Sequence, residues 1–238
     1  MKYSIVVPTY NEEKRIENTI KTIHAFYAKK KEAFEIIISD DKSTDKTVEK
    51  AGKLKEQMPE VKVIESDINY YKGWPVRNGI LKSTGDYILM TDADLSTPIK
   101  EADKLQKEIE KGFDIAIGSR IDASGHDERE SQPFYRRVLG KIFTFIRKVL
   151  TPEIEDSQCG FKMFNKKSAA DLFERQRVKN IIFDVEILFM AKKLGYQIAQ
   201  VPVEWYYSGE TRMRLTAKNA VGTIVSLAQI YLWHKNEK

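Results

Sequence analysis

Two aspartates, Asp92 and Asp94, stand two positions apart directly after the strand-like run that ends at Thr91. Carboxylates at this spacing along a turn can meet one hard cation, because Mg²⁺ and Mn²⁺ prefer oxygen ligands. Such a cation can bridge protein carboxylates to phosphate oxygens. The pair therefore predicts a site in which Mg²⁺ or Mn²⁺ holds a diphosphate, with an ordinary turn as the alternative interpretation.

Two more polar clusters follow earlier strand-like runs, at residues 8–12 (Pro-Thr-Tyr-Asn-Glu) and 40–45 (Asp-Asp-Lys-Ser-Thr-Asp). Each cluster alone can be a helix cap or a turn. Together with the aspartate pair they describe aromatic and carboxylate groups for a base and a ribose. The segment Lys72–Gly79 adds two phosphate-binding cations, Lys72 and Arg77, in what we expect to be a loop with close backbone approach.

The elements that must position these clusters alternate in type through the first half of the chain. The predicted strands are residues 4–7, 35–39, 61–65, 86–90 and 114–117, and the predicted helices include residues 12–29 and a helix capped by Ser43 that runs to about residue 57. This βαβ rhythm predicts an α/β fold with a mostly parallel central sheet flanked by helices. Ligands of such sheets gather outside the carboxyl ends of the strands, so the clusters should converge on one edge.

The pattern changes after residue 120. The sequence predicts a polar loop over residues 122–133 and then a helix over 134–150, a strand over 160–164, a helix over 183–194, a strand over 197–202 and a last helix over about 216–233. We expect one domain over residues 1–238, with two functional halves that meet near residue 118.

Composition limits the class of protein. Hydrophobic residues make up 42% and charged residues 32% of the 238 residues, which is typical of a globular chain and not of a disordered or multi-span membrane protein. The net charge of +5 suits an anionic ligand or a membrane surface, with a solvated lysine-rich exterior as the alternative. A single cysteine, Cys159, and the lack of a signal-like leader or a long apolar run favour a cytoplasmic protein that can lie on the inner face of a membrane.

Several motifs resemble, in order and spacing, the family 2 glycosyltransferases with the GT-A fold. They are residues 6–12, 39–45, 72–77, 91–98 and 117–120. Later motifs are similar to the branch that glycosylates polyprenyl phosphates, especially the dolichyl-phosphate β-glucosyltransferases; they are residues 156–164, 183–188 and 201–205. The resemblance covers nearly the whole chain and implies a metal-dependent, inverting hexosyltransferase with the DxD motif.

The resemblance also implies roles for individual residues. Those roles are Pro8, Tyr10, Glu12 and Asp41 in the uridine pocket, Lys72, Arg77 and Asp92 toward the diphosphate, Asp92 and Asp94 as metal ligands with Asp94 the firmer, Arg120, Arg136 and Arg137 toward the acceptor phosphate, and Asp156 beside the reaction centre. Residues up to about 118 would bind the nucleotide sugar and residues from about 119 the acceptor. Asp156 stays open between a base, a residue that orients an arginine, and a structural carboxylate.

The chemistry of the acceptor favours a lipid phosphate. A hydroxyl acceptor needs a general base, whereas a phosphate monoester, with a second pKa of about 6, is already largely dianionic at neutral pH. Arginines are the side chains that such an acceptor needs. The helix predicted over residues 134–150 is basic and amphipathic. This pattern is typical of helices that lie on a membrane surface, with core packing of the apolar face as the alternative. The last helix carries a stripe for which core packing or a dimer contact is expected, formed by Val221, Ile224, Val225, Ala228 and Leu232.

The expected partners are UDP-glucose as donor and a polyprenyl or dolichyl phosphate as acceptor, with a peripheral membrane contact, a homodimer and no nucleic acid. A GDP-mannose donor or a saccharide hydroxyl acceptor is the alternative within the enzyme class. Outside it stand a phosphatase of the haloacid-dehalogenase type, which shares an Asp-x-Asp after a strand, and a non-catalytic nucleotide-sugar binder. Asp184 and Glu186 diverge on a helix, so at most one of them should reach the site.

Overall fold

The computed structural model describes residues 1–121, 148–207 and 217–237, with side chains of the last helix described from residue 222 onward. The loop predicted over residues 122–133 lies outside the described residues. So does the helix predicted over 134–150, except that residues 148–150 form a turn. Arg136 and Arg137 lie outside them as well.

The secondary structure follows the predicted alternation. The strands are β1 (Tyr3–Thr9), β2 (Phe34–Asp40), β3 (Val61–Glu65), β4 (Tyr87–Thr91), β5 (Ile115–Ser119), β6 (Phe161–Asn165) and β7 (Ile198–Pro202). The helices are α1 (Ile16–Ala28), α2 (Thr47–Gln57), α3 (Gly73–Leu81), α4 (Ala102–Glu110), α5 (Lys166–Arg175), α6 (Phe183–Lys193) and α7 (Ala217–His234), and a 3₁₀ turn (Ile99–Glu101) precedes α4.

The seven strands form one sheet in the order β3-β2-β1-β4-β6-β5-β7. All neighbours are parallel except β6, which runs antiparallel to both β4 and β5. Alternate side chains of the central strands enter two separate apolar layers, with Ile5 and Ile36 on one face and Val6 and Ile37 on the other. The expected α/β fold with a mostly parallel sheet is confirmed, and strands from both halves of the chain share it.

Two helices begin later than the sequence predicts. The first begins at Ile16 instead of Glu12, and α2 begins at Thr47 instead of after Ser43. The Ser43 hydroxyl donates to Asp40 Oδ1 at 2.5 Å, so it closes the turn after β2 and does not cap the helix. Asp45 is the residue that accepts a hydrogen bond from the Thr47 N–H, at 2.9 Å.

The segment after Lys72 is a helix, α3, and the expectation of a loop there is wrong. Pro75 fits because it lies in the first turn, where backbone N–H groups have no helical partner. A Cβ on Gly79 would stand 2.4 Å from Val6 Cγ1, and a Cβ on Gly73 would stand 2.7 Å from the Lys179 carbonyl oxygen. Both glycines therefore allow α3 to pack closely against the rest of the protein. This packing, and not a close approach of the backbone to phosphate, explains why glycine stands at these two positions.

The last helix, α7, packs against α6, and its residues Leu227, Ile230 and His234 are buried. Core packing of the predicted stripe is wrong for Ile224, Val225 and Leu232, which are 53%, 48% and 59% exposed, and the dimer contact given as its alternative stays a prediction. Among the residues that the structure describes, no helix combines the length and the apolar character needed to cross a bilayer.

Candidate active site

Parallel pairing brings the first two polar clusters together at the carboxyl ends of β1 and β2, where Thr9 stands in register with Asp40. The Thr9 hydroxyl donates to Asp40 Oδ1 at 3.0 Å. The Asn11 N–H donates to Ser43 Oγ at 2.8 Å, while Asn11 Oδ1 accepts from the Thr44 N–H at 2.7 Å. The two clusters are thus one hydrogen-bonded rim.

The residues expected in the uridine pocket lie on this rim. Pro8 is buried within β1, whereas the side chain of Tyr10 is exposed at the strand end. The Glu12 N–H donates to Thr47 Oγ1 at 2.6 Å, and Glu12 Oε2 lies 2.9 Å from Arg15 Nε. These contacts fix the shape of the rim, and the contact of these residues with a base stays a prediction.

Asp41 is buried beside the rim and holds the chain that leads to Lys72. Its two carboxylate oxygens accept from the N–H groups of Tyr70 and Tyr71, at 2.9 and 2.7 Å, and its carbonyl accepts from Asn69 Nδ2 at 3.1 Å. Burial raises the pKa of Asp41 above its ordinary value, against the opposing effect of the two amides. A carboxylate has further lone pairs, so the same group can still accept from a ligand.

Lys72 reaches the aspartate pair, as the sequence predicts. Its Nζ lies 2.6 Å from Asp92 Oδ1, and Asp94 Oδ1 accepts from the Ser96 N–H at 2.9 Å. Burial alone would lower the pKa of Lys72, but the carboxylates of Asp92, Asp184 and Asp94 outweigh it and raise that pKa. The ammonium therefore stays charged at neutral pH.

Gly160 forms the wall behind Asp92. A Cβ on Gly160 would stand 2.0 Å from Asp92 Oδ2, so only glycine allows the carboxylate to lie where it does. The antiparallel strand β6 causes this approach, because Phe161 pairs with Thr91 at the end of β4. A small cleft opens here, lined by Thr91, Asp92, Ser96, Thr97, Gly160 and Trp205.

Two residues of this region were not among the predicted site residues. Lys162 is buried on β6 and donates from Nζ to Asp184 Oδ1 at 2.6 Å and to the Cys159 carbonyl at 2.5 Å. Burial raises the pKa of Asp184, although Lys162 and Lys72 act in the opposite direction. Both lie in motifs that the sequence singles out, but a sequence pattern does not show which lysine of a strand is buried.

Glu186 points away from this region, which confirms that at most one of the two acidic residues on α6 reaches the site. It accepts from the N–H groups of Arg177 and Val178, the latter at 2.8 Å, and lies 2.7 Å from His234 Nε2. Asp184 instead binds Lys162, on the strand that follows Gly160.

Arg77 is placed away from the aspartate pair by its position on α3. Its described contacts are a 3.4 Å hydrogen bond from Nη2 to the Glu174 carbonyl and a 5.4 Å approach of the guanidinium to the Trp74 ring. The first contact arises because this face of α3 packs on the end of α5, and the second joins two residues three positions apart on α3 itself. The described contacts thus do not bring Arg77 to the diphosphate position, and its phosphate contact stays a prediction.

Arg120 and Asp156 form a bidentate ion pair at the end of β5. Arg120 Nε and Nη2 each donate at 2.7 Å, one to each oxygen of Asp156, and the Arg120 N–H donates to Oδ2 at 3.1 Å. Asp156 is only 2% exposed. The guanidinium carbon lies 5.6 Å from the centre of the Trp205 ring, which lines the cleft beside Asp92. This geometry is that of an aspartate that orients an arginine.

The ligand set at the edge suits a hard cation held jointly with substrate. Asp92 and Asp94 offer carboxylate oxygens. The absence of a side chain on Gly160 provides the space that Asp92 Oδ2 occupies. Within residues 1–121, 148–207 and 217–237, no group of three or more His, Cys, Asp or Glu side chains converges on one point. A cation there would complete its shell with phosphate oxygens and water, as Mg²⁺ commonly does.

Residues 4–173 match the family model described as Glycosyl transferase family 2. A dolichyl-phosphate beta-glucosyltransferase of Trichomonas vaginalis is 32% identical over 243 residues, which cover 98% of this chain and 71% of the relative. The dolichyl-phosphate beta-glucosyltransferase of Homo sapiens is 35% identical over 219 residues, which cover 85% of this chain and 66% of the relative.

Solved structures resemble the chain in fold. Glucosyl-3-phosphoglycerate synthase from Mycobacterium tuberculosis, in complex with UDP, gives a TM-score of 0.68 at 16% identity over 98% of this chain and 79% of that chain. The mannosyltransferase PcManGT from Pyrobaculum calidifontis, in complex with GDP-Man and Mn²⁺, gives 0.59 at 18% identity over 89% and 58%. Identities this low establish the GT-A fold alone. With the family match and the relatives, they show that this chain is a glycosyltransferase that belongs to glycosyl transferase family 2.

Proposed function

We propose that this enzyme transfers glucose from UDP-glucose to a polyprenyl or dolichyl phosphate, with Mg²⁺ or Mn²⁺ and with inversion at the anomeric carbon. The names of the relatives support the donor sugar and the acceptor. The observation that carries the acceptor class is the ion pair of Arg120 with Asp156. Both oxygens of Asp156 bind the guanidinium, so this carboxylate fits the holding of an arginine better than the removal of a proton.

On the donor side, Asp92 and Asp94 would hold the cation. A bound Mg²⁺ or Mn²⁺ would neutralise charge that develops on the leaving diphosphate. The Lys72 ammonium lies against Asp92 and supplies a second positive charge at the same edge. Pro8, Tyr10, Glu12 and Asp41 lie around the rim where the nucleoside would be held, and Asp41 keeps the Tyr70–Tyr71 segment in place behind it.

On the acceptor side, the main task is to bring one anion to another. A lipid phosphate attacks without losing a proton, since it is largely dianionic at neutral pH. Arg120 has a fixed direction because Asp156 binds it bidentately, and a preorganised charge of this kind lowers the cost of the approach. We propose that Arg136 and Arg137 add to this charge, and that Asp156 acts as a positioning residue.

The direct test is a transfer assay with purified chain, UDP-glucose, dolichyl phosphate in detergent and Mn²⁺ or Mg²⁺. We expect a lipid-linked glucose whose formation stops when EDTA removes the cation. Parallel reactions with GDP-mannose, and with saccharide acceptors in place of the lipid phosphate, separate the alternatives. Turnover only with a saccharide acceptor, or only with GDP-mannose, would contradict the proposal.

We also propose that the exposed face of α7 rests on an anionic membrane surface where the acceptor resides. Tyr231 is 53% exposed and, with Trp233, adds aromatic rings to the exposed aliphatic side chains of this face. Arg177 lies 5.9 Å from the Trp233 ring and supplies a cation at its border. Apolar and aromatic side chains with cations beside them are typical of surfaces that contact headgroups.

A further inference from the structure

Lys162 and Asp184 form an ion pair in the interior of the protein. The side chain of Lys162 is 1% exposed and that of Asp184 is 3% exposed. Removing two charges from water is costly, and a packed apolar pair of similar volume is often as stable or more so. A buried pair of this kind at the edge of an active site therefore calls for a role other than packing.

The pair lies directly behind the DxD motif. Lys162 stands opposite Met90 in the antiparallel pairing of β6 with β4, and Met90 precedes Asp92 by two residues. The same strand begins beside Gly160, which touches the Asp92 carboxylate. The wall that fixes Asp92 and the lysine that binds Asp184 thus belong to one short strand.

Lys72 connects the pair with Asp92. Its Nζ is 2.6 Å from Asp92 Oδ1, and the start of α3 beside it is joined to the segment before α6 by the Trp74 N–H, which donates to the Lys179 carbonyl at 3.2 Å. Asp184 lies in the first turn of α6, where Lys162 binds it, and against the effect of burial it acts with Asp92 to raise the pKa of Lys72. Charges of opposite sign therefore alternate from Lys162 through Asp184 and Lys72 to Asp92.

We propose that Lys162 and Asp184 are positioning residues of the donor site, which hold the Lys72 ammonium at the sheet edge. Lys162 fixes the Asp184 carboxylate from one side, and Asp184 gives Lys72 a second anionic neighbour besides Asp92. When a cation binds Asp92, Lys72 would keep Asp184 as its anionic partner and stay in a position to contact the diphosphate. The inference deepens the proposed function, because it concerns the donor site of that reaction.

The test compares Asp184→Asn with Glu186→Gln as a matched control. Both carboxylates are buried in the first turn of α6, but Glu186 binds His234 instead of Lys162. The affinity for Mn²⁺ in the presence of UDP is measured by titration with detection of free Mn²⁺ by electron paramagnetic resonance, and thermal unfolding is followed in parallel. We expect Asp184→Asn to weaken Mn²⁺–UDP binding by about 10-fold or more, as loss of partners around metal ligands does.

We expect Glu186→Gln to lower the unfolding temperature and to leave the affinity unchanged. Lys162→Arg should keep most of the affinity, whereas Lys162→Met should lose it, since the first retains the charge and the second does not. Wild-type affinity in Asp184→Asn, or an equal loss in Glu186→Gln, would overturn the proposal. If Asp184→Asn fails to fold, the contrast between Lys162→Arg and Lys162→Met decides by the same readout. No acceptor enters this measurement, so a wrong acceptor class would not affect its outcome.

Discussion

At the scale of single residues, the site depends on how tightly the Asp92 carboxylate is enclosed. Lys72 contacts one of its oxygens at 2.6 Å, and the Cα of Gly160 faces the other with no room for a methyl group. Asp94 is shaped by a turn in which it accepts from the Ser96 N–H at 2.9 Å. An ordinary Asx turn thus holds Asp94 directly after Asp92, and the turn and metal-site interpretations of this pair are compatible.

Asp94→Ala should abolish transfer and change the free energy of unfolding little. Loss of a group that stabilises developing charge costs about 10²–10³-fold in turnover, whereas a partly exposed turn contact contributes on the order of 1 kcal/mol. The measurements are the transfer rate with saturating Mn²⁺ and urea unfolding of both proteins. Turnover near the wild-type rate would contradict a metal role for Asp94.

Gly160→Ala should lower activity by about 10²-fold, because a methyl group 2.0 Å from Asp92 Oδ2 must push the carboxylate aside. Gly52→Ala is the control, since a Cβ there meets nothing within 4 Å and Gly52 lies inside α2. The control should keep full activity and gain stability, because alanine is the better helix former. Equal activity of both variants would show that the enclosure of Asp92 is unimportant.

At the scale of elements, one buried histidine joins α7 to α6. His234 Nε2 lies 2.7 Å from Glu186 on α6, and its Nδ1 lies 2.8 Å from Glu237. Burial alone would lower the pKa of His234, but hydrogen bonds to the two glutamates outweigh it and raise that pKa above 6.5. The contribution of this contact to the stability of the fold should therefore depend on pH.

A histidine with a raised pKa in the folded state stabilises the fold fully below its unfolded pKa and loses that contribution as pH rises through the folded pKa. We therefore expect the stability advantage of the wild type over His234→Gln to be large at about pH 6 and to shrink by about pH 9. Urea unfolding at a series of pH values measures it. An advantage that grows with pH would mean that His234 is buried in the neutral form.

At the scale of the whole molecule, the sheet edge and the exposed face of α7 are joined by the segment before α6. Asn180 Nδ2 in this segment donates to Ser226 Oγ on α7 at 3.1 Å. The neighbouring Lys179 Nζ lies 4.6 Å from the centre of the Trp74 ring, and Trp74 is two residues after Lys72. A membrane beneath α7 would therefore lie near the edge where a lipid phosphate must arrive.

Ile224→Glu should reduce binding of the enzyme to vesicles that contain phosphatidylserine, because a carboxylate on the contact face faces anionic headgroups. Ile68→Glu is the matched control, as Ile68 is also 53% exposed but lies in the loop after β3. Co-sedimentation with vesicles measures binding. If neither protein binds vesicles and Ile224→Glu instead dissociates a dimer in analytical ultracentrifugation, the face serves a second copy of the chain.

Local patterns sufficed for much of the architecture. The apolar runs of β1, β2 and β4 predict strands because a strand buried on both faces needs such a run, and parallel pairing then places Asp40, Asp41 and Asp92 at the same edge. Lys72 lies against Asp92 at the sheet edge expected for it, and its contact with phosphate stays a prediction. The start of α2 was not correctly expected, because the Ser43 hydroxyl binds Asp40 in its own turn and Asn11 after the neighbouring strand β1.

By itself, the sequence determined the order of elements, the carboxylate pair and the family, since these depend on residues close together in the chain. Tertiary structure decided the rest. Residues 87 and 165 become neighbours only when β6 inserts antiparallel beside β4, and this insertion brings Gly160 and Lys162 to Asp92. It also decided that Asp184 turns inward, that Arg77 packs on α5 and that Ile224 stays exposed. Burial and partner choice depend on contacts between distant segments, which periodicity does not encode.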